Sequence, residues 1–150
     1  MRPADAMSAV LDKAARALLE RSRIAHLATA GRDAKPHVVP LCYAFDGERL
    51  YFVVDEKPKQ AGKTLKRLRN IADNPEVALV VDVYDEDWRR LEYLLIRGGA
   101  SLVEDGPEWT RAVELLRARY RQYQAMRLEP GRNPVVRIVP ASAHHWRASA

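Results

Sequence analysis

The stretch IAHLATAGRDAKPHVVPLCYAFDGERLYFVVD, Ile24 to Asp55, decides the fold class. IAHLATA reads as a strand, GRD as a turn suited to Gly31, and KPHVVPLCYAF as a second strand. Asp46–Gly47 is a strong hairpin signal, because Asp-Gly readily adopts the positive φ that tight turns need. A third strand follows in ERLYFVVD, where Leu50, Phe52 and Val54 alternate with Tyr51 and Val53. Three antiparallel strands in about thirty residues set the chain on a β course.

Working outward, EVALVVDVY (76–84) reads as a strand buried on both faces or nearly so. LEYLLIRGGASLVE (91–104) suggests a longer strand pair, with Gly98 and Gly99 at a bulge or sharp bend. VVRIVP and AHHWRA supply the last strands. Met7, Val10, Leu11, Ala14, Ala15, Leu18 and Leu19 recur at helical spacing and predict an opening amphipathic helix. A second amphipathic helix starts near Pro107, with Trp109, Ala112, Val113, Leu116 and Tyr120 on one face, and LEPGRNP is a loop. The expected class is α+β, mainly antiparallel β, in one domain over residues 1–150. Six or seven strands with a few helices predict an antiparallel barrel, closed to avoid exposed edges.

Composition narrows the function classes. The 47% hydrophobic content argues against disorder, and no apolar run approaches the ~18 residues of a membrane span. Charges are scattered through the first 22 residues, which is not the pattern of a secretion signal. A single cysteine, Cys42, rules out an internal disulfide, so a cytoplasmic location is expected. Metal chemistry is not expected. His144 and His145 are adjacent and point to opposite faces of a strand, and His26 and His37 have no Cys or second His at ligand spacing. Cys42 lies in an apolar strand without an adjacent base and reads as a buried structural thiol. Without a Gly-rich phosphate loop, a nucleophile elbow or paired catalytic carboxylates, any chemistry falls to a cofactor.

The net charge of +5 is local. KPKQAGKTLKRLRN, Lys57 to Asn70, carries six basic side chains and no acidic one. A helical wheel gathers Ala61, Leu65, Leu68 and Ala72 on one arc and Lys59, Lys63, Lys66, Arg67 and Asn70 on the other. No acid forms the usual i,i+4 pairs, so the cations repel one another. Lys57 and Lys59 precede the first turn, where backbone N–H groups and the helix dipole favour an anion. A nucleic-acid footprint calls for interleaved aromatics, and none lies between Phe52 and Tyr84. A membrane-surface helix needs larger apolar residues than Leu and Ala. A small phosphorylated ligand is the best match; neither nucleic acid nor membrane is an expected partner.

ATAGRDAKPHVVPLCYAFDGERLYFVVDEKPK, followed by LKRLRNIADNPEVALVVDVYDEDWRRL, resembles the pyridoxamine-5′-phosphate-oxidase-like flavin and deazaflavin proteins. It is most similar to the actinobacterial branch that depends on the deazaflavin coenzyme F420. The resemblance spans roughly Ile24 to the C-terminus and implies a split β-barrel with flanking helices, forming a homodimer with cofactor at the interface. It implies that His37, Val38, Val39 and Pro40 run beside the tricyclic ring, largely through backbone groups. It implies that Lys57 and Lys59 bind the cofactor phosphate, with Lys63, Thr64 and Arg67 as helpers on the helix, and that Trp88 approaches the ring from the partner subunit or packs the dimer. It assigns no catalytic residue; Tyr43, Tyr84 or water could supply a proton. The C-terminal AHHWRASA lacks the Arg and His arrangement that binds vitamin B6 phosphate in the classical oxidases, so vitamin B6 oxidation is not expected. The function implied is an F420-dependent oxidoreductase passing hydride to a small conjugated substrate. Alternatives are an FMN-binding oxidase or reductase of the same fold, or a non-enzymatic protein that stores or shields F420 or a flavin.

Overall fold

A computed structural model describes residues 10–55 and 65–149. Helix α1 (Lys13–Arg21) leads into β1 (Ile24–Ala30), β2 (Pro36–Cys42), β3 (Ala44–Phe45) and β4 (Leu50–Val53). Helix α2 (Lys66–Asp73), β5 (Glu76–Val83), β6 (Glu92–Val103), α3 (Gly106–Arg119), α4 (Arg121–Ala125) and β7 (Val135–Arg147) follow. The strands form one seven-stranded sheet in the order β2-β1-β5-β6-β7-β4-β3, with every pairing antiparallel. The class is α+β and the architecture a split β-barrel, as the sequence predicts.

The barrel is not closed by hydrogen bonds, which corrects the expectation of sealed edges. Its two edge strands, β2 and β3, are consecutive in the chain, and the single strand expected through Phe45 breaks at Tyr43 between them. That residue is a corner. Its ring is fully buried, its hydroxyl donates to the Leu19 carbonyl at 2.7 Å, and its N–H donates to the Tyr120 hydroxyl at 3.1 Å. These bonds tie the bend to α1 and to the junction of α3 and α4, and through it the chain passes from one edge of the sheet to the other.

The helical spacing of the opening segment is interrupted: Val10 is helical, Leu11 and Asp12 are not, and Asp12 caps the helix that starts at Lys13 by accepting the Ala15 N–H at 2.9 Å. Met7 lies outside the described residues. Strand β5 alternates instead of burying both faces: Val77, Leu79 and Val81 enter the core while Ala78 and Val80 stay half-exposed. Where the sequence suggested two strands twice over, β6 and β7 each run unbroken for 12 and 13 residues. They keep pairing through a bulge at Arg97/Gly98, opposite which Ala141 is the extra residue between Pro140 and Ser142.

Two apolar clusters result. The concave face of the sheet closes over Leu18, Leu19, Leu27, Leu79, Leu94 and Ile96 with α1 and α2. The convex face of β3, β4 and β7 is covered by α3 and α4 through Tyr51, Val53, Trp109, Val113, Leu116 and Val135. The Trp109 indole N–H donates to the Asn133 carbonyl at 2.8 Å, and the Asn133 amide donates to the Val54 carbonyl at 3.0 Å, fastening the loop before β7.

Glu108, in the first turn of α3, binds that helix to the sheet. It accepts from Arg137 at 2.6 Å, from the Tyr51 hydroxyl at 2.8 Å and from Arg49 at 3.2 Å. Burial pushes its carboxyl upward, but the bonds from Tyr51 and Arg137 and the charges of Arg137 and Arg49 outweigh that and hold it below its ordinary value. A carboxyl held low stabilises the fold fully above its unfolded value near 4.5, and that stabilisation fades as pH falls through the folded value. Glu108→Gln is therefore expected to cost about 2 kcal/mol at neutral pH, short of the full cost of breaking a buried pair because its partners are partly hydrated. In thermal melts, the gap between wild type and variant should narrow as pH drops below that value. A gap independent of pH would contradict the assignment.

Candidate functional site

Strand alternation sorts the convex face into two halves. One half lies under α3 and α4. The other, carried by β2, β1, β5, β6 and the end of β7, has no described element over it. Val38 and Pro40 of β2 point outward with their register partners Ala28 and His26, and Val38 is 64% exposed. Ile24, Trp146 and Leu95 belong to the same face, and Tyr93 stacks on Trp146 at 5.8 Å between centroids.

β2 is an edge, and proline settles which way its backbone looks. Pro36 and Pro40 have the same parity, and proline is tolerated in a ladder only where its missing N–H faces away from the partner strand. Residues of that parity, Val38 and Cys42 included, thus turn backbone N–H and C=O toward the open side. A flat ligand laid along the edge would meet those groups and the outward Val38 and Pro40 side chains.

At the C-terminal end of β2 this edge meets a pocket of about 440 Å³, lined by Cys42, Asp55, Arg23, Arg119, Tyr120 and Tyr123 among others. Asp55 is the last described residue before the basic stretch, so the chain leaves this wall directly into EKPKQAGKT. Arg119 is spread over the faces of Tyr43 and Tyr120 at 5.0 and 5.6 Å, and donates to the Glu20 carbonyl at 3.0 Å. Burial pushes the Tyr123 hydroxyl above its ordinary value, with the Asp55 charge adding to it.

The four ring-contact residues expected from sequence divide by face. Val38 and Pro40 look outward, whereas Val39 packs on the concave core and His37 turns inward opposite Thr29, with Nδ1 buried and without a hydrogen-bond partner among the described residues. Side-chain contact with one flat ligand is therefore open to Val38 and Pro40, whereas His37 and Val39 turn their side chains inward and their backbone N–H and C=O toward β1. Lys57, Lys59, Lys63 and Thr64 lie outside the described residues. Arg67 is half-buried on α2. Trp88 is 67% exposed in a short 3-10 turn (Trp88–Arg90) capped by Asp87, and does not line the pocket.

The helical wheel of the basic stretch needs correction. Asn70, expected on the cationic arc, is 1% exposed, and Ala72, expected on the apolar arc, faces solvent. The Asn70 amide donates to the Thr29 hydroxyl at 3.0 Å, and its oxygen lies where any side chain on Gly31 would have to go. That polar contact, with Leu68 and Ile71 beside it, rotates the buried face of α2. Tyr43 is also removed as a proton donor: its buried hydroxyl is committed to the Leu19 carbonyl, and burial drives it far above its ordinary value. Tyr84 is 68% exposed and donates to Glu86 at 3.3 Å. The pocket residues of α3 and α4 carried no local motif, and sequence reasoning missed them.

Cys42 is half-buried, not fully so. Burial pushes its thiol upward, the Asp55 charge adds to this, and Arg119 opposes it. A thiol raised in this way is slow to form thiolate. Cys42→Ser is expected to leave cofactor binding within a few-fold of wild type. The wild-type thiol should react with a disulfide reagent at pH 8 more slowly than free cysteine; a rate equal to or above that of free cysteine would overturn this.

Among the described residues no three His, Cys, Asp or Glu side chains gather around one point, and no helix is long and apolar enough to cross a membrane. A search of curated proteins gave no match. Among solved structures, an F420 reductase is 29% identical with a TM-score of 0.60, covering 86% of this chain and 94% of that one. A conserved hypothetical protein from Mycobacterium tuberculosis is 24% identical, with a TM-score of 0.71 and coverage of 93% and 86%. The heme storage protein HutZ from Vibrio cholerae shares the fold at 15% identity, with a TM-score of 0.68 and coverage of 91% and 94%. The profile of the pyridoxamine 5′-phosphate oxidase family matches residues 11–147, which together with the seven-stranded split barrel places this chain in that family.

Proposed function

We propose that the protein is an F420-dependent oxidoreductase acting on a small conjugated substrate. The observation that carries this reading is the open edge of β2 ending in a pocket from whose wall, at Asp55, the basic stretch departs. Likeness to a 29% identical F420 reductase supports it. The donor set fits such a group: an apolar strand edge with free backbone groups for a planar ring, then lysines for a phosphate. When bound, the deazaflavin supplies hydride to an electron-poor double bond. The chain's own part is to orient and to shield. Val38 and Pro40 would hold one side of the ring by contact, the β2 backbone would fix its register, and Lys57 and Lys59 would anchor the phosphate, with Lys63, Thr64 and Arg67 as helpers. Surplus cations beyond a phosphate clamp suit the acidic tail of F420 more than FMN.

The uncovered apolar face is the second half of the proposal. Ile24, Val38, Tyr84, Trp88 and Trp146 are each at least 41% exposed, an arrangement suited to a twofold partner that would also close the cofactor groove. Light scattering is expected to give twice the 17.0 kDa chain mass. Paired fluorescence titrations test the cofactor: F420 should saturate at lower concentration than FMN, and the bound reduced form should bleach on adding a conjugated acceptor. Tighter FMN binding would replace F420 in this reading, and binding without turnover across a broad acceptor panel would leave a storage or shielding protein.

A further inference from the structure

A second cavity lies at the opposite end of the uncovered face. It holds about 560 Å³ and is bounded by Ala28, Ala30, Pro36, Pro75 and Ala78, with Arg97 and Glu76 on its rim. Pro36 and Cys42 are six residues apart on one strand, so this groove is about 20 Å from the Cys42 pocket. Its floor exists because of one missing side chain. Gly99 shares the parity of Arg97 and faces the groove, and a Cβ built there meets no atom within 4 Å. Its neighbour Gly98 faces the other way, into the sheet. The bulge adds a second feature: Ala141, which lines the groove, has no partner residue on β6 and leaves the ladder locally unpaired.

The Arg97 side chain is exposed and makes no hydrogen bond or ion pair with the described residues, although Glu76 lines the same groove. A guanidinium beside apolar walls offers a planar fork to a carboxylate, and its face can stack on a ring. Alanine, proline and glycine walls give a broad, flat floor that suits a planar body better than a branched aliphatic one. The volume falls in the range of small-molecule sites. We propose that this groove binds a flat aromatic carboxylate, its acid group on Arg97 and its ring over Gly99. Glu76 stands where it repels a second negative charge, which restricts the site to monoanions. The proposal is independent of which cofactor the β2 edge takes, and it requires a twofold partner to leave this end of the face open.

Titrating the full chain with naphthoate and with its neutral amide, naphthamide, tests it by amide proton–nitrogen correlation spectra. Saturable shifts are expected at Ala30, Ala78 and Gly99, and not at Cys42 or Asp55. Arg97→Gln should weaken naphthoate about tenfold while leaving naphthamide unchanged. Gly99→Leu should fill the groove and remove binding of both, with the melting temperature near wild type because no described atom is displaced. Glu76→Gln should admit a naphthalene dicarboxylate that wild type rejects. The proposal is overturned by equal affinity for acid and amide, by retained binding in a folded Gly99→Leu, by shifts confined to the Cys42 pocket, or by no saturable shift at all. Should Gly99→Leu fail to fold, the Arg97→Gln comparison decides alone.

Discussion

Lys57→Ala and Lys59→Ala should each weaken F420 binding by about ten- to a hundredfold while the cofactor-free protein melts at its wild-type temperature. A charge-assisted contact from lysine to phosphate is worth roughly 1.5–3 kcal/mol, which sets that range. The melting temperature should hold because the apolar clusters and the Glu108 network are built from side chains elsewhere in the chain. Arg69 is the control: it belongs to the same basic stretch, is exposed on α2, and its truncation should change affinity by less than about 0.5 kcal/mol. Equal losses in all three variants would mean that the stretch acts as a diffuse positive field. Salt separates the remaining readings, because a single small polyanion should show a far shallower dependence than a polynucleotide. Tight binding of DNA or RNA with a steep salt slope would remove the phosphate clamp altogether.

The β architecture was legible because its signals are local. Alternation at Leu50, Phe52 and Val54 and the Asp46–Gly47 turn each act within a few residues, and both hold: β3 and β4 form the hairpin around that turn. The Tyr43 corner was not legible. Nothing in VPLCYAF marks a break, because the bend is made by bonds to Leu19 and Tyr120, partners distant in the chain. The same holds for α2, whose orientation depends on an amide–hydroxyl bond between Asn70 and Thr29 that a helical wheel cannot contain. A wheel scores Asn70 as polar and therefore exposed; a buried partner reverses that. The candidate site divides along the same line. PHVVP stood out through the family resemblance, whereas Arg119, Tyr120 and Tyr123 reach the pocket from helical segments that look wholly structural in sequence. GG at 98–99 was read as a bulge or bend, and the structure separates the pair into one residue that faces the sheet and one that faces the groove.

That separation gives the sharpest stability contrast in the molecule. Gly98 and Gly99 are neighbours on β6, and Val is a good strand former at either position by intrinsic preference. Only the surroundings differ. A Cβ on Gly98 would lie 2.3 Å from the Val139 carbonyl oxygen and 3.2 Å from the Pro140 Cα, both backbone atoms that no rotamer change can move aside. To admit it, the β6–β7 pairing must separate at the bulge, in the middle of the longest ladder of the sheet. Overpacking ordinarily costs about 1–3 kcal/mol, and a clash with backbone on this scale should exceed that. For a chain of this length such a loss corresponds to a fall in melting temperature of about 10 °C or more. Gly99→Val meets open space and should leave the melting temperature within about 2 °C of wild type. Denaturation by heat and by urea of the two variants side by side measures the difference directly. Comparable stability of Gly98→Val and Gly99→Val would show that the bulge yields cheaply, and with it that the fixed orientation of Arg97 and Gly99 toward the groove is lost.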